Sequence, residues 1–249
     1  MKVVDLWRYP IKGHGREQLT EVALSEGKTI PFDRVWAIAH EAAKVDGSSG
    51  EWAHCVNFSR GSKSPALMAI NLTFDALTNT ITLTHPDCEP LTINPDVDED
   101  AARLVEWTKP LCPDNRAQPA HIYRAKENGM TDSDFPSVSI NSFSSLRSLS
   151  EKAGTDVSPQ RFRGNIWIDD LPPWAEHDWV NQEIQIGEAR LKIIERTERC
   201  AATTASPQTG KIDLDTLDIL KSNFGHLDFG VRAIVTKTGL IKTGDAVSL

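Results

Sequence analysis

The stretch Glu183-Ile-Gln-Ile-Gly-Glu-Ala-Arg-Leu-Lys-Ile-Ile-Glu-Arg-Thr-Glu-Arg-Cys200 holds two β-type runs, Glu183 to Ile186 and Arg190 to Glu195, and ends on a thiol at the mouth of a polar loop. Apolar side chains alternating with polar ones mark half-buried strands. Strand signals lie on both sides, at Asn165 to Asp169 and at Val231 to Thr236. Between them, Asp213 to Phe224 is helical through Leu214, Leu217, Ile219 and Leu220. The end of the chain, TGLIKTGDAVSL, reads as a hairpin leading into a last strand, with Gly239 and Gly244-Asp245 as turn residues.

The earlier part of the chain follows the same pattern. Val3 to Trp7, Leu19 to Leu24 and Val35 to His40 are short β-type runs. Three more between Ala66 and Ile93 predict a three-stranded meander. Asp98 opens a helix through Leu104, Val105 and Trp107, with acids in the first turn where the dipole favours them, and it should stop at Pro110. Ser142 to Lys152 predicts a second short helix, capped by Asn141 or Ser142. The polar, proline-broken CPDNRAQP segment (112–119) marks a boundary near residue 120, giving domains 1–119 and 120–249. Strands outnumber helices in both and do not alternate with them, so the expected fold is mainly β (α+β): β-barrels or sandwiches with a few peripheral helices.

Composition narrows the function. The 249 residues carry 27 Lys+Arg against 35 Asp+Glu, a formal charge of −8, with 39% hydrophobic residues. This is enough apolar side chain for a sizeable core, and an acidic chain without a basic run argues against a nucleic-acid partner. No run has the length of a membrane span, and the N-terminus has no signal-peptide core, which points to a soluble cytoplasmic protein. Cys55, Cys88, Cys112 and Cys200 form no CxxC pair, and the seven histidines form no HExxH or HxH motif, so neither a zinc ribbon nor a histidine-built metal site is expected.

Cys200, followed by Thr203, Thr204 and Ser206, is the densest candidate for chemistry. Either it is a buried inert cysteine, or Arg199 beside it, with Arg196, Arg161 and Arg163 elsewhere in the chain, favours a thiolate that attacks electrophiles or binds metal. Arg161-Phe-Arg163-Gly-Asn165 presents two guanidinium forks that suit phosphate or carboxylate, unless they are spent on surface ion pairs. Lys12, in Tyr9-Pro-Ile-Lys12-Gly-His-Gly15, and Arg34 could both reach a phosphate, although the loop has neither P-loop nor dinucleotide-fold spacing.

Taken in order, Tyr9-Pro10-Ile11-Lys12, Asp33-Arg34-Val35-Trp36, Pro136 to Asn141, Arg161-Phe162-Arg163-Gly164-Asn165, Arg199-Cys200-Ala-Ala-Thr203 and Gly244-Asp245 resemble the signature of the MOSC superfamily (molybdenum cofactor sulfurase C-terminal domain), in the version with an N-terminal β-barrel domain. Within it, the chain resembles the amidoxime-reducing branch. The resemblance implies a molybdenum cofactor (molybdopterin) in a cleft between two β-barrel domains, with Cys200 as catalytic metal ligand. Arg163 and Asn165 would bind the pterin, and Lys12 and Arg34 the phosphate. Ser59, Asn141, Ser142, Arg199 and Thr203 are further cofactor-binding candidates. The implied activity is reduction of small N-hydroxylated or N-oxide compounds, with electrons from an external donor protein or reductase, since no CxxxxCxxC spacing is present. The alternative is a cofactor or sulfur carrier without turnover of its own.

Three departures stand out. Gly13 replaces a common Ser, Gly164 replaces the Pro of RFRPN and should loosen the approach of Arg163, and Ser206 replaces an Asp placed at the substrate mouth.

Overall fold

A computed structural model describes residues 1–45 and 49–249. The first half holds strands β1 (Lys2–Arg8), β2 (Ile11–Lys12), β3 (Glu17–Leu19), β4 (Glu21–Leu24), β5 (Trp36–His40), β6 (Asn71–Asp75), β7 (Thr80–His85) and β8 (Cys88–Ile93), then helix α1 (Asp98–Thr108) and β9 (Pro119–Arg124). The second half holds β10 (Val138–Ser142), α2 (Phe143–Ala153), β11 (Ile166–Asp169), β12 (Glu183–Ile186), β13 (Ala189–Glu198), α3 (Thr216–Phe224), β14 (Asp228–Lys237), β15 (Gly239–Lys242) and β16 (Val247–Ser248). The fold is mainly β, with three α-helices among the described residues.

The principal sheet runs β16-β12-β13-β14-β10-β11-β1-β3, with β10 and β11 parallel and the other neighbours antiparallel. Its inner face follows from the alternation: Ile184, Ile186, Leu191 and Ile193 are buried, while Glu183, Gln185, Arg190 and Lys192 face water. Each such Ile or Leu contributes about 1.5–3 kcal/mol by leaving water. Val3, Leu6, Val22, Leu24, Ile166 and Val231 join the same core, so the N-terminal strands complete a sheet built otherwise from the second half. The β6-β7-β8 meander forms as expected and buries Leu72, Ile81, Leu83 and Ile93 with Trp36 and Leu104 of the first half.

The helix ends obey their local chemistry. Ser142 Oγ accepts from the amides of Ser144 and Ser145, and Gly154 closes α2 in the left-handed conformation. Asp215 caps α3, which ends at Gly225. α1 ends at Thr108, and the chain passes Pro110 in a single 3-10 turn, Lys109–Leu111.

The carboxy-terminal segment is not a hairpin: β15 pairs with β4 and β16 with β12, because the buried faces of Ile241 and Val247 have larger apolar partners there than they could offer each other. The meander begins after a 3-10 turn, Pro65–Ala69, whose proline has no amide to give a ladder. β9, pairing with β5, carries no alternation strong enough to mark it in the sequence. No helix among the described residues is long and apolar enough to cross a membrane.

Candidate functional site

A cavity of about 510 Å³ opens where the strand end carrying Cys200 meets the Lys12 loop. Cys200 follows β13 and is exposed. The turn after it is pinned from inside: the Thr203 amide and hydroxyl both donate to Cys200 O (3.1 Å each), and Thr203 Oγ1 meets Thr216 Oγ1 of α3 at 2.6 Å. Arg161 Nη1 donates to Thr203 O (3.3 Å), and its Nη2 pairs with Asp213 (2.7 Å).

Arg199 fastens the strand end to three other segments. Its Nε donates to Phe229 O (2.9 Å), Nη1 to Phe162 O (2.8 Å) and Nη2 to Asn141 Oδ1 (3.0 Å), while its guanidinium lies beside the stacked Phe162 and Phe229 rings. Burial, reinforced by Arg232, pushes this guanidinium down to about 9, so it stays charged at neutral pH.

Across the cavity stand Lys12, Arg34 and Arg163. The last two both lie over the Tyr9 ring, with guanidinium carbons 4.8 and 4.3 Å from its centre. Both arginines adopt left-handed backbone (φ 54° and 47°), a conformation costing about 1–2 kcal/mol, and Arg34 Nη2 donates to Arg163 O (3.0 Å). Arg34 pairs with buried Asp33. Lys12, only 5% exposed, donates to Met130 O (2.7 Å) and pairs with Asp132. Burial pulls Lys12 down; against an opposing desolvation, Lys12 holds the Asp132 carboxyl well below the usual carboxylate range. Burial, with Arg34 and Arg16 adding, pushes Arg163 down to about 10. Arg163 Nη1 donates to Gly15 O (3.0 Å), but Nη2 is buried without a partner.

The residues picked out by sequence divide into two groups. Lys12, Arg34, Arg163, Asn165, Arg199, Cys200 and Thr203 all line the one cavity. Asn165 is also a brace, accepting from Ser139 N and Oγ (3.2 and 2.8 Å) and donating to Trp7 O (3.2 Å). Ser59, Asn141 and Ser142 stand behind the wall. Ser59 is buried, Ser142 caps α2, and Asn141 is wedged between Gly164 and Gly230.

The wedge explains one departure. A Cβ at Gly164 would lie 2.1 Å from Asn141 Nδ2, so glycine tightens this corner instead of loosening it. Gly13 has the same character: a Cβ there would sit 2.8 Å from Ser59 O. Ser206 is buried, and its Oγ accepts from the amides of Gln208 and Thr209 (3.3 Å each), so it braces its own turn and does not face the cavity.

The sequence reading left out Arg60, Lys63, Asp132, Ser137, Ser139, Thr197 and Arg232, which also line the cavity. In all, eight Lys or Arg and two carboxylates face it, a surplus suited to a polyanionic ligand. No group of three or more His, Cys, Asp or Glu among the described residues is arranged to hold a metal. A metal at Cys200 therefore needs most of its ligands from a bound group.

The MOSC domain family matches residues 130–248, and the MOSC N-terminal beta barrel domain family matches residues 1–117. Mitochondrial amidoxime-reducing component 1 of Mus musculus is 28% identical, over 99% of this chain and 82% of that one. The Homo sapiens protein of the same name is 25% identical over the same shares. Among solved structures, the YUAD protein from Bacillus subtilis aligns over 99% of this chain and 93% of its own, with a TM-score of 0.48 and 13% identity.

Proposed function

The chain belongs to the MOSC family, with a MOSC N-terminal beta barrel domain ahead of the MOSC domain, and from that premise we propose that it is a molybdenum cofactor-binding oxidoreductase that reduces small N-hydroxylated or N-oxide compounds. The observation that carries the reading is one exposed thiol facing a cation-lined cavity in which Arg163 Nη2 is buried without a partner. A soft thiolate suits a metal already bound by sulfur, and the surplus of cations suits a phosphate-bearing pterin. The relatives' names, amidoxime-reducing components, point to the substrate class.

Cys200 would hold the metal, Lys12 and Arg34 the phosphate, and Arg163 and Asn165 the pterin. Arg199 and Thr203 fix the turn that presents the thiolate, with Asn141 acting through Arg199; Ser59 and Ser142 support the wall from behind. The bound group supplies two-electron oxygen-atom chemistry, and the protein supplies orientation and charge. Lys12, paired with Asp132, and Arg34, paired with Asp33, present fixed donors that need no rearrangement on binding. The division near residue 120, the external reductase and a cytoplasmic location belong to the same proposal.

The test is molybdenum and pterin content of the protein and of Cys200→Ala, both expressed in a host that makes the cofactor, followed by turnover of benzamidoxime with a reductant. Near-stoichiometric molybdenum in wild type, loss in the variant, and turnover by wild type alone are expected. Metal-free wild type, from a host that loads a control molybdoenzyme, overturns the proposal. Cofactor release to an apo-acceptor without turnover marks a carrier instead.

A further inference from the structure

Four of the eight cations facing the cavity have carboxylate partners: Lys12 with Asp132, Arg34 with Asp33, Arg161 with Asp213 and Arg232 with Glu195. Arg60, Lys63, Arg163 and Arg199 form no ion pair among the described residues. Arg199 spends its donors on backbone carbonyls and Asn141, and Arg163 stands with Lys12 and Arg34 across the cavity. Two cations are left over. The Arg60 side chain donates to the sulfur of Cys55 (2.7 Å), and Lys63 is exposed.

The turn that carries these two packs against the segment that follows Cys200. Arg60 O accepts from the amides of Lys63 and Ser64 (3.0 Å each), folding residues 60–63 into a turn. Two glycines let that turn sit close to its neighbours. A Cβ on Gly13 would lie 3.3 Å from Arg60 Cα, and one on Gly61 would lie 3.3 Å from Ala202 Cβ, two residues beyond Cys200. Arg16 ties the surroundings together, donating to Met68 O and Pro207 O (2.9 Å each). A planar fork and a point charge on one packed turn, facing the same cavity as Cys200, form a receptor for a second anion.

We propose that the substrate is itself anionic: an N-hydroxylated or N-oxide compound bearing a carboxylate or phosphate that Arg60 and Lys63 receive while its N–O group faces Cys200. This rests on the function proposed above and narrows its substrate class. Because the whole chain carries a charge of −8, the attraction is local to the cleft and weakens with salt.

The test compares benzamidoxime with 4-carboxybenzamidoxime on the molybdenum-loaded protein, since both offer the same reacting group. The carboxylated compound should show a KM lower by about tenfold or more, the worth of a charge-assisted contact. That advantage should shrink between about 0.05 and 0.5 M NaCl. In Arg60→Gln/Lys63→Gln the ratio of the two kcat/KM values should fall to near one, and Lys63→Glu should carry it further in the same direction. Equal KM values in wild type, or a ratio unmoved by the double substitution, overturns the proposal.

If loaded protein turns over neither compound, the oxidoreductase reading fails. The anion site is then judged by calorimetric binding of 4-carboxybenzamide against benzamide. Tighter binding of the acid, lost in the double variant, supports it; equal binding overturns it.

Discussion

Glu176→Gln should change how stability depends on pH. Glu176 sits on the 3-10 turn Ala175–Trp179 with no exposed surface, and Ser145 Oγ, which accepts from Trp174 N (2.8 Å), donates to its two carboxylate oxygens (2.7 and 2.9 Å). Burial, outweighing that hydrogen bond, raises the carboxyl from 4.5 to about 6. The native state therefore binds the proton more tightly than the unfolded chain. Stability from this residue is fully present below pH 4.5 and is lost as pH rises through about 6. At about 1.4 kcal/mol per tenfold change in proton affinity, the loss is about 0.2 kcal/mol at pH 4 and about 2 kcal/mol at pH 8. Gln cannot ionise, so the variant lacks this loss. Urea unfolding of both proteins at several pH values gives the difference directly, and the pH 4 value absorbs any offset from the new amide. Relative to wild type, the variant should gain about 2 kcal/mol between pH 4 and pH 8. A difference that stays flat across this range would refute the reasoning.

Two further substitutions probe the frame behind Cys200. Arg199→Met strands two backbone carbonyls and Asn141 Oδ1 while removing a buried charge, and should cost about 2–4 kcal/mol in urea unfolding. Gly230→Ala places a Cβ 2.1 Å from Asn141 Oδ1 and 2.5 Å from Ile140 O at a φ of +74°, and should cost about 2 kcal/mol or more and lower the Tm by at least about 4 °C.

What sequence revealed was faces, and what it concealed was partners. Ile184, Ile186, Leu191 and Ile193 announce their strands because burial alternates, and Ser142 announces a helix because its hydroxyl suits a cap. Nothing in TGLIKTGDAVSL says that Ile241 lies opposite Val22, since alternation fixes which side is apolar and leaves the neighbour open. The site divides the same way. Cys200, Arg163 and Lys12 sit in recognisable motifs, whereas Arg60, Asp132 and Arg232 reach the cavity from separate segments with no shared pattern. Ser142 follows one of the quoted motifs directly, yet its hydroxyl serves a helix end.

The placement of β1 between β11 and β3 also bears on how the chain is made. Tyr9 Oη donates to Gly164 O and Asn165 Nδ2 to Trp7 O, contacts that span 155 and 158 positions. At synthesis rates of about 5–20 residues per second, the first strand leaves the ribosome roughly 8–30 s before its partner exists. Throughout that interval Val3 and Leu6 have no β11 to cover them, and the wall that holds Lys12 has nothing to close against. Nascent chains that end before β11 should thus engage chaperones and yield to protease around β1, and protection there should arrive abruptly once β11 emerges.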